Sequence, residues 1–140
     1  MMTAYKKRCA WAGNGDLYCA YHDQEWGVPV YNDRKLFEFL ILEGAQAGLS
    51  WLTVLRKREN YRKAYDQFDP KKIANYGDRK VKKLLNNEGI IRNRLKIAAS
   101  VTNAQAFLKV QKEFGSFSKY MWGFVNHQPV KNKFKSMQDL

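Results

Sequence analysis

An all-α domain is the expectation, and three features of the sequence carry it. Apolar residues recur at three- and four-residue spacing from Asp33 onward, capping residues stand before each such run, and alternating β patterns or hairpin dipeptides are hard to find. A chain of 140 residues fits a single domain with its own core. Its apolar content of 45%, spread along the whole length, argues for a packed globular protein and against a disordered one. No stretch reaches the roughly 18 uninterrupted apolar residues of a membrane span. The N-terminal MMTAYKKRCAWAGNG also lacks the apolar run of a secretory signal, so a cytoplasmic location away from membranes is expected.

Residues 1–32 are rich in Gly, Asn, Asp and aromatic residues without periodicity, and read as an irregular arm pinned by its Trp and Tyr side chains. Asn32 or Asp33 can cap the first helix, whose Leu36, Phe37, Leu40 and Ile41 form an apolar stripe and which should end near Gly48. Ser50 can cap a second helix, WLTVLRKRENYRKAYDQF, with Leu52, Leu55 and Tyr61 on one side and basic residues on the other. Asp69-Pro70, a cap followed by proline at the first helical position, starts a short helix KKIANY. Gly77-Asp78 restarts the chain as RKVKKLLNN, and Glu88-Gly89-Ile90-Ile91 then turns it into RNRLKIAASVTNAQAFLKVQKEF. That is a helix-hairpin-helix outline. The long arm stops at Gly115, after which Ser116 or Ser118 can cap a last segment, KYMWGFVN.

Charge narrows the partners. Twenty-five Lys and Arg residues (25) against 13 Asp and Glu give +12, an excess that attracts polyanions, nucleic acid first among them, although a merely soluble basic surface has the same composition. The hairpin NNEGIIRNRLK offers backbone N–H groups at a helix start, with Arg92, Arg94 and Lys96 beside them, which suits a phosphate held without reading a base. An ordinary turn between charged helices is the plainer reading of the same residues.

EGAQAGLSW poses a different question, because it puts a carboxylate between two apolar runs. Glu43 falls in the last turn of one helix, where the macrodipole favours cations, and burial beside FEFLIL would raise its pKa. Trp51 opens the next helix at the same corner. A planar heterocycle would satisfy both, with N–H donors for the carboxylate and a π-face for the indole. Pairing of Glu43 with Arg56 or Arg58, and a Trp51 that is simply core, is the competing account. In the arm, Cys9 and His22 could ligate zinc, with Cys19 and His127 as the remaining candidates for a site that normally needs four ligands; a hydrogen-bonded core His22 is the alternative. Pairing of Cys9 with Cys19 is disfavoured in a core-forming chain without an export signal.

Four blocks run in order from Cys9 to Pro129: CAWAGNGDLYCAYHDQEWGVP, LILEGAQAGLSWLTVLRKRENYRKAYDQFDP, NNEGIIRNRLKI and WGFVNHQP. In these blocks and their spacing the chain resembles the DNA-3-methyladenine glycosylase I family, a branch of the helix-hairpin-helix glycosylases. The resemblance implies a monomeric enzyme that flips an alkylated adenine out of double-stranded DNA and hydrolyses its N-glycosidic bond. Glu43 would recognise the methylated base, Trp51 would stack on it, and Trp11, Tyr18 and Tyr21 would line the pocket, with Gln46 counted among the base contacts. The hairpin would grip DNA through Gly89, Ile91, Arg92, Asn93, Arg94 and Lys96. The family's structural zinc would take Cys9 and His22 as its first two ligands.

Two departures qualify the resemblance. Many helix-hairpin-helix glycosylases place a catalytic Asp after the hairpin, and no convincing equivalent follows RNRLKI. Catalysis would then rest on holding the flipped cationic base and positioning water, with Glu43 as the main carboxylate. The family also continues beyond FVNHQP to supply a His and a Cys four residues apart, whereas here VKNKFKSMQDL closes at Leu140. A C-terminally truncated single domain over residues 1–140, with two of four zinc ligands and weak or no stoichiometric metal, is therefore expected. The competing function is a catalytically impaired form that acts only as a non-specific DNA-binding helical module. A basic helical RNA-binding protein ranks below both, because nothing resembles an RNA-recognition signature.

Overall fold

The computed structural model describes residues 6–140, so the first five residues of the expected arm lie outside the described part. Among the described residues there are eight α-helices and no strand, as the periodicity predicts. They are α1 (Asp16–Gln24), α2 (Asp33–Ala45), α3 (Trp51–Arg56), α4 (Arg58–Ala64), α5 (Pro70–Ala74), α6 (Asp78–Leu85), α7 (Arg94–Phe114) and α8 (Phe117–Gly123). Short 3-10 turns lie at Ala10–Ala12, Asp66–Phe68 and Met137–Asp139. The N-terminal segment expected to be an irregular arm is helical over Asp16–Gln24: that run holds no Gly or Pro, Asp16 sits in the first turn where the macrodipole favours an anion, and Cys19 is buried as the helix packs on α3.

Five of the eight helices carry a side-chain cap. Asn32, Ser50, Asp69, Asn93 and Ser116 each accept a hydrogen bond from a backbone N–H two or three residues on, which satisfies an otherwise orphaned donor of the first turn. Asn32 rather than Asp33 caps α2, and Ser116 rather than Ser118 caps α8. Helix α2 ends at Ala45, three residues before Gly48, which takes a left-handed φ of 79° in the turn that follows.

α7 is the spine of the core. Its Ile97, Ala104 and Phe107 pack with Phe37, Ile41 and Leu42 of α2, Val54 of α3, Ile73 of α5 and Leu84 of α6 in one buried cluster. The stretch expected to run as one helix from Trp51 to Phe68 is broken twice. It first breaks at Lys57, between α3 and α4. It breaks again after Ala64, where Asp66, Gln67 and Phe68 all adopt left-handed φ angles of 51°, 55° and 56°. Such angles cost non-glycine residues about 1 to 2 kcal/mol apiece. The turn seats Phe68 in the core at 1% exposure, a gain of about 1.5 to 3 kcal/mol. A hydrogen bond from the Tyr76 hydroxyl to Asp66 Oδ2 at 2.5 Å adds to that compensation.

Residues 86–93 join α6 to α7. Gly89 packs closely on α4: a Cβ there would lie 3.0 Å from the Asn60 side chain, tighter than most real contacts, so a larger residue would have to displace Asn60. Asn87 Oδ1 accepts the Gly89 N–H at 2.8 Å, and the Tyr61 hydroxyl accepts the Ile91 N–H at 3.2 Å. The hairpin is thus fastened to α4.

Candidate active site

Helix α2 sorts its apolar residues onto two faces. Phe37 and Ile41 enter the core, while Leu36, Phe39, Leu40 and Glu43, spaced at i, i+3, i+4 and i+7, face a cavity of about 440 Å³. The opposite wall is α8, through Phe117, Met121 and Trp122; the end of α1 and residues 26–30 close the side. A concave, largely apolar space with a few polar groups is the usual form of a small-molecule site.

Each wall is tied in place. Asp33 reaches from the start of α2 to the start of α8, accepting from the backbone N–H groups of Phe117 at 2.9 Å and Ser118 at 2.8 Å and from Gln111 Nε2 at 2.8 Å. Burial pushes the Asp33 carboxyl up, but these three donors outweigh it and hold it below the usual carboxylate range. Trp122 Nε1 donates to the Val30 carbonyl at 2.8 Å, and the Trp122 ring stacks on Tyr31 with centroids 4.7 Å apart. Arg58 of α4 grips Glu25, at the end of α1, through two hydrogen bonds of 2.6 and 2.9 Å.

Glu43 is exposed at the cavity. This corrects the expectation of burial: the last turn of α2 emerges from the core, and the i+7 position of its second face opens on the cavity. Its carboxylate has no hydrogen bond or ion pair among the described residues, so neither Arg56 nor Arg58 is its partner. Next to it, burial raises the Tyr21 phenol, with Glu43 and Glu25 adding to the effect.

Of the six residues expected to meet a base, Glu43 and Tyr21 line the cavity. Trp51 lies behind them, its ring 5.6 Å from Tyr21 and stacked 6.5 Å from Phe39. Its indole N–H is buried without a partner among the described residues. Tyr18 stacks on Tyr21 at 6.2 Å and Trp11 lies 5.1 Å from Tyr18, so both support the wall rather than form it. Gln46 is placed at the C-cap of α2, where its backbone N–H closes the helix, and its side chain does not line the cavity. Sequence reasoning missed Phe39, Trp26 and Trp122 as cavity residues. The last two stand in the quoted blocks QEWGVP and WGFVNHQP, and an aromatic residue in a matching block was the available signal.

The arm does bring Cys9 and His22 together, the Cys9 N–H donating to His22 Nε2 at 3.3 Å. His22 Nδ1 faces Asp23 Oδ1 at 2.9 Å, and Arg8, aided by His22, holds the Asp23 carboxyl well below its usual range. Both cysteines are free thiols. Cys19 is buried at 2% exposure with its Sγ toward the Ala12 and Gly13 carbonyls, a core residue. His127 is an exposed turn residue. Among the described residues no three His, Cys, Asp or Glu side chains converge as a metal site, so this donor set does not fit a closed four-ligand zinc.

At the hairpin, Arg92 and Arg94 are exposed and Asn93 caps α7. The N–H groups of Gly89 and Ile91 are used internally, and Lys96 is placed otherwise than expected. Its ammonium donates to the carbonyls of Ala45 at 2.9 Å and Ala47 at 2.7 Å, satisfying the end of α2 where the macrodipole favours a cation.

Comparison with known proteins bears on this cavity. The family model described as methyladenine glycosylase matches residues 11–140. The chain is 48% identical over 133 residues to a DNA-3-methyladenine glycosylase of Haemophilus influenzae, covering 95% of this chain and 72% of that protein. It is also 48% identical over 134 residues to DNA-3-methyladenine glycosylase 1 of Escherichia coli, covering 96% and 72%. A crystal structure of a 3-methyladenine DNA glycosylase I superposes with a TM-score of 0.91 at 50% identity, over 96% of this chain and 74% of that one. The Staphylococcus aureus enzyme, whose structure addresses 3-methyladenine recognition, superposes with a TM-score of 0.91 at 38% identity, over 95% and 71%. The chain belongs to the methyladenine glycosylase family.

Proposed function

We propose that this chain hydrolyses the N-glycosidic bond of 3-methyladenine in alkylated DNA, and that the cavity beside Glu43 receives the flipped base. The observation that carries the reading is an unpaired carboxylate on an aromatic-walled cavity, in a chain 48% identical to proteins named for that activity. N3-alkylation makes adenine cationic in DNA and weakens its glycosidic bond, so the protein need supply selection and positioning more than acid catalysis. Glu43 would accept hydrogen bonds from the base, each worth about 1.5 to 3 kcal/mol when one partner is charged. The rings of Tyr21, Phe39 and Trp122 would add cation–π attraction of about 0.5 to 2 kcal/mol. Neutral adenine can still donate an amino N–H to Glu43, but it lacks the positive charge that strengthens that bond and it gains no cation–π attraction. At about 1.4 kcal/mol per factor of ten, the difference corresponds to roughly 100-fold discrimination.

Arg92 and Arg94, exposed at the start of α7, would hold phosphates of a duplex, with the residues between α6 and α7 serving as a helix-hairpin-helix. A monomer in the cytoplasm accompanies this reading, and no helix among the described residues is long and apolar enough to cross a membrane. The test is incubation with N-methylated duplex DNA followed by chromatography of the released bases. Free 3-methyladenine is the expected product; salt-sensitive DNA binding without release would leave only the non-specific binding module.

A further inference from the structure

The cavity carries two carboxylates, and one of them is cancelled. Glu25 and Glu43 both line it. Glu25 is the C-cap of α1, where the macrodipole disfavours an anion, and Arg58 meets it fork to fork, Nη1 to Oε1 at 2.6 Å and Nη2 to Oε2 at 2.9 Å. The two side chains are only 15% and 23% exposed, which separates this pair from an ordinary surface ion pair. Burial, Glu43 and Glu25 raise the Tyr21 phenol while Arg58 lowers it, so all three charges act on one ring of the cavity.

We propose that Arg58 is a positioning residue that sets the free charge of the cavity: by cancelling Glu25 it leaves Glu43 as the single uncompensated carboxylate, matched to a base carrying one positive charge. The inference rests on the cationic-base reading above. Removing Arg58 leaves two carboxylates sharing one apolar-walled space, and such a pair takes up a proton more readily than either member alone. Removing Glu25 instead leaves the Arg58 cation to oppose the substrate. Removing both restores the original balance. The other charged or titratable groups around Glu25 are Tyr21 on α1, Lys35 and Glu43 on α2, and Tyr31 after the cavity's side wall.

The experiment compares wild type, E25Q, R58M and E25Q/R58M by KM and kcat for 3-methyladenine release from about pH 5 to 8, and by 13C NMR titration of the Glu side-chain carboxyls. E25Q should raise KM about tenfold with a smaller change in kcat. R58M should bring a cavity carboxyl into the titration window and make KM vary at least roughly threefold across it. The double variant should return KM to within roughly threefold of wild type, with a flat profile. The proposal is overturned if the double variant is as impaired as the single ones, or if no carboxyl of R58M titrates in the window, since the pair would then be a structural staple. Should R58M fail to fold, recovery of the E25Q defect in the double variant still decides. The NMR result stands whether or not base is released, whereas a wild type that releases none refutes the proposed activity alone.

Discussion

At the residue scale, the placement of Trp51 separates packing from polarity. Its ring fills the space between Tyr21 and Phe39, and its N–H has no partner. Trp51→Phe keeps the ring layer and removes a buried orphan donor, so unfolding free energy should change by less than about 1 kcal/mol. Trp51→Ala should cost about 3 to 5 kcal/mol through the void it leaves; urea denaturation of both variants measures the contrast. Glu43 shows what sequence could and could not tell. The spacing placed it in the last turn of α2, and it is there. Its exposure was not legible, because Leu36, Phe37, Phe39, Leu40 and Ile41 form too broad an apolar band to show which edge meets the core.

Two ties decide how the elements are held. Asp33 supplies the acceptors for the first N–H groups of α8, so Asp33→Ala should cost about 2 to 4 kcal/mol and loosen the wall bearing Trp122, read as a change in tryptophan fluorescence and faster proteolysis there. Because the folded pKa of Asp33 is depressed, this contribution is present above the unfolded value of about 3.9 and is lost as pH falls through the lower folded value. The gap between wild type and Asp33→Ala should therefore narrow in acid. Tyr61 gives the opposite limb. Burial pushes its phenol up to about 12, against a smaller lowering by the Ile91 N–H. The stability that goes with the protonated phenol is complete below the unfolded value of about 10 and disappears as pH rises to about 12. Tyr61→Phe should lose the bond to the hairpin but remove that part of the alkaline destabilisation, as denaturation at pH 8 and pH 11 would report. Caps and proline marked the helix starts in the sequence because those signals are local. The breaks at Lys57 and at Asp66–Phe68 were invisible, since nothing local demands them and core packing around Phe68 imposes the second.

Across the whole molecule, +12 of net charge is spread over most helices, and only part of it is free to meet DNA. Arg92→Ala and Arg94→Ala should each lower the salt dependence of duplex binding by roughly one phosphate contact. Lys96→Ala should leave that slope nearly unchanged and lower thermal stability instead, because its ammonium is committed to the end of α2. The same contact ties the start of α7 to the turn that follows Glu43, so the proposed DNA grip and the proposed base pocket would share one corner. Selection of a cationic base by Glu43 is tested most directly by single-turnover release of 3-methyladenine from methylated duplex by wild type and Glu43→Gln at matched folding and DNA occupancy. A fall of about 100-fold in release with unchanged duplex affinity is predicted. Release by Glu43→Gln within a few-fold of wild type would contradict it.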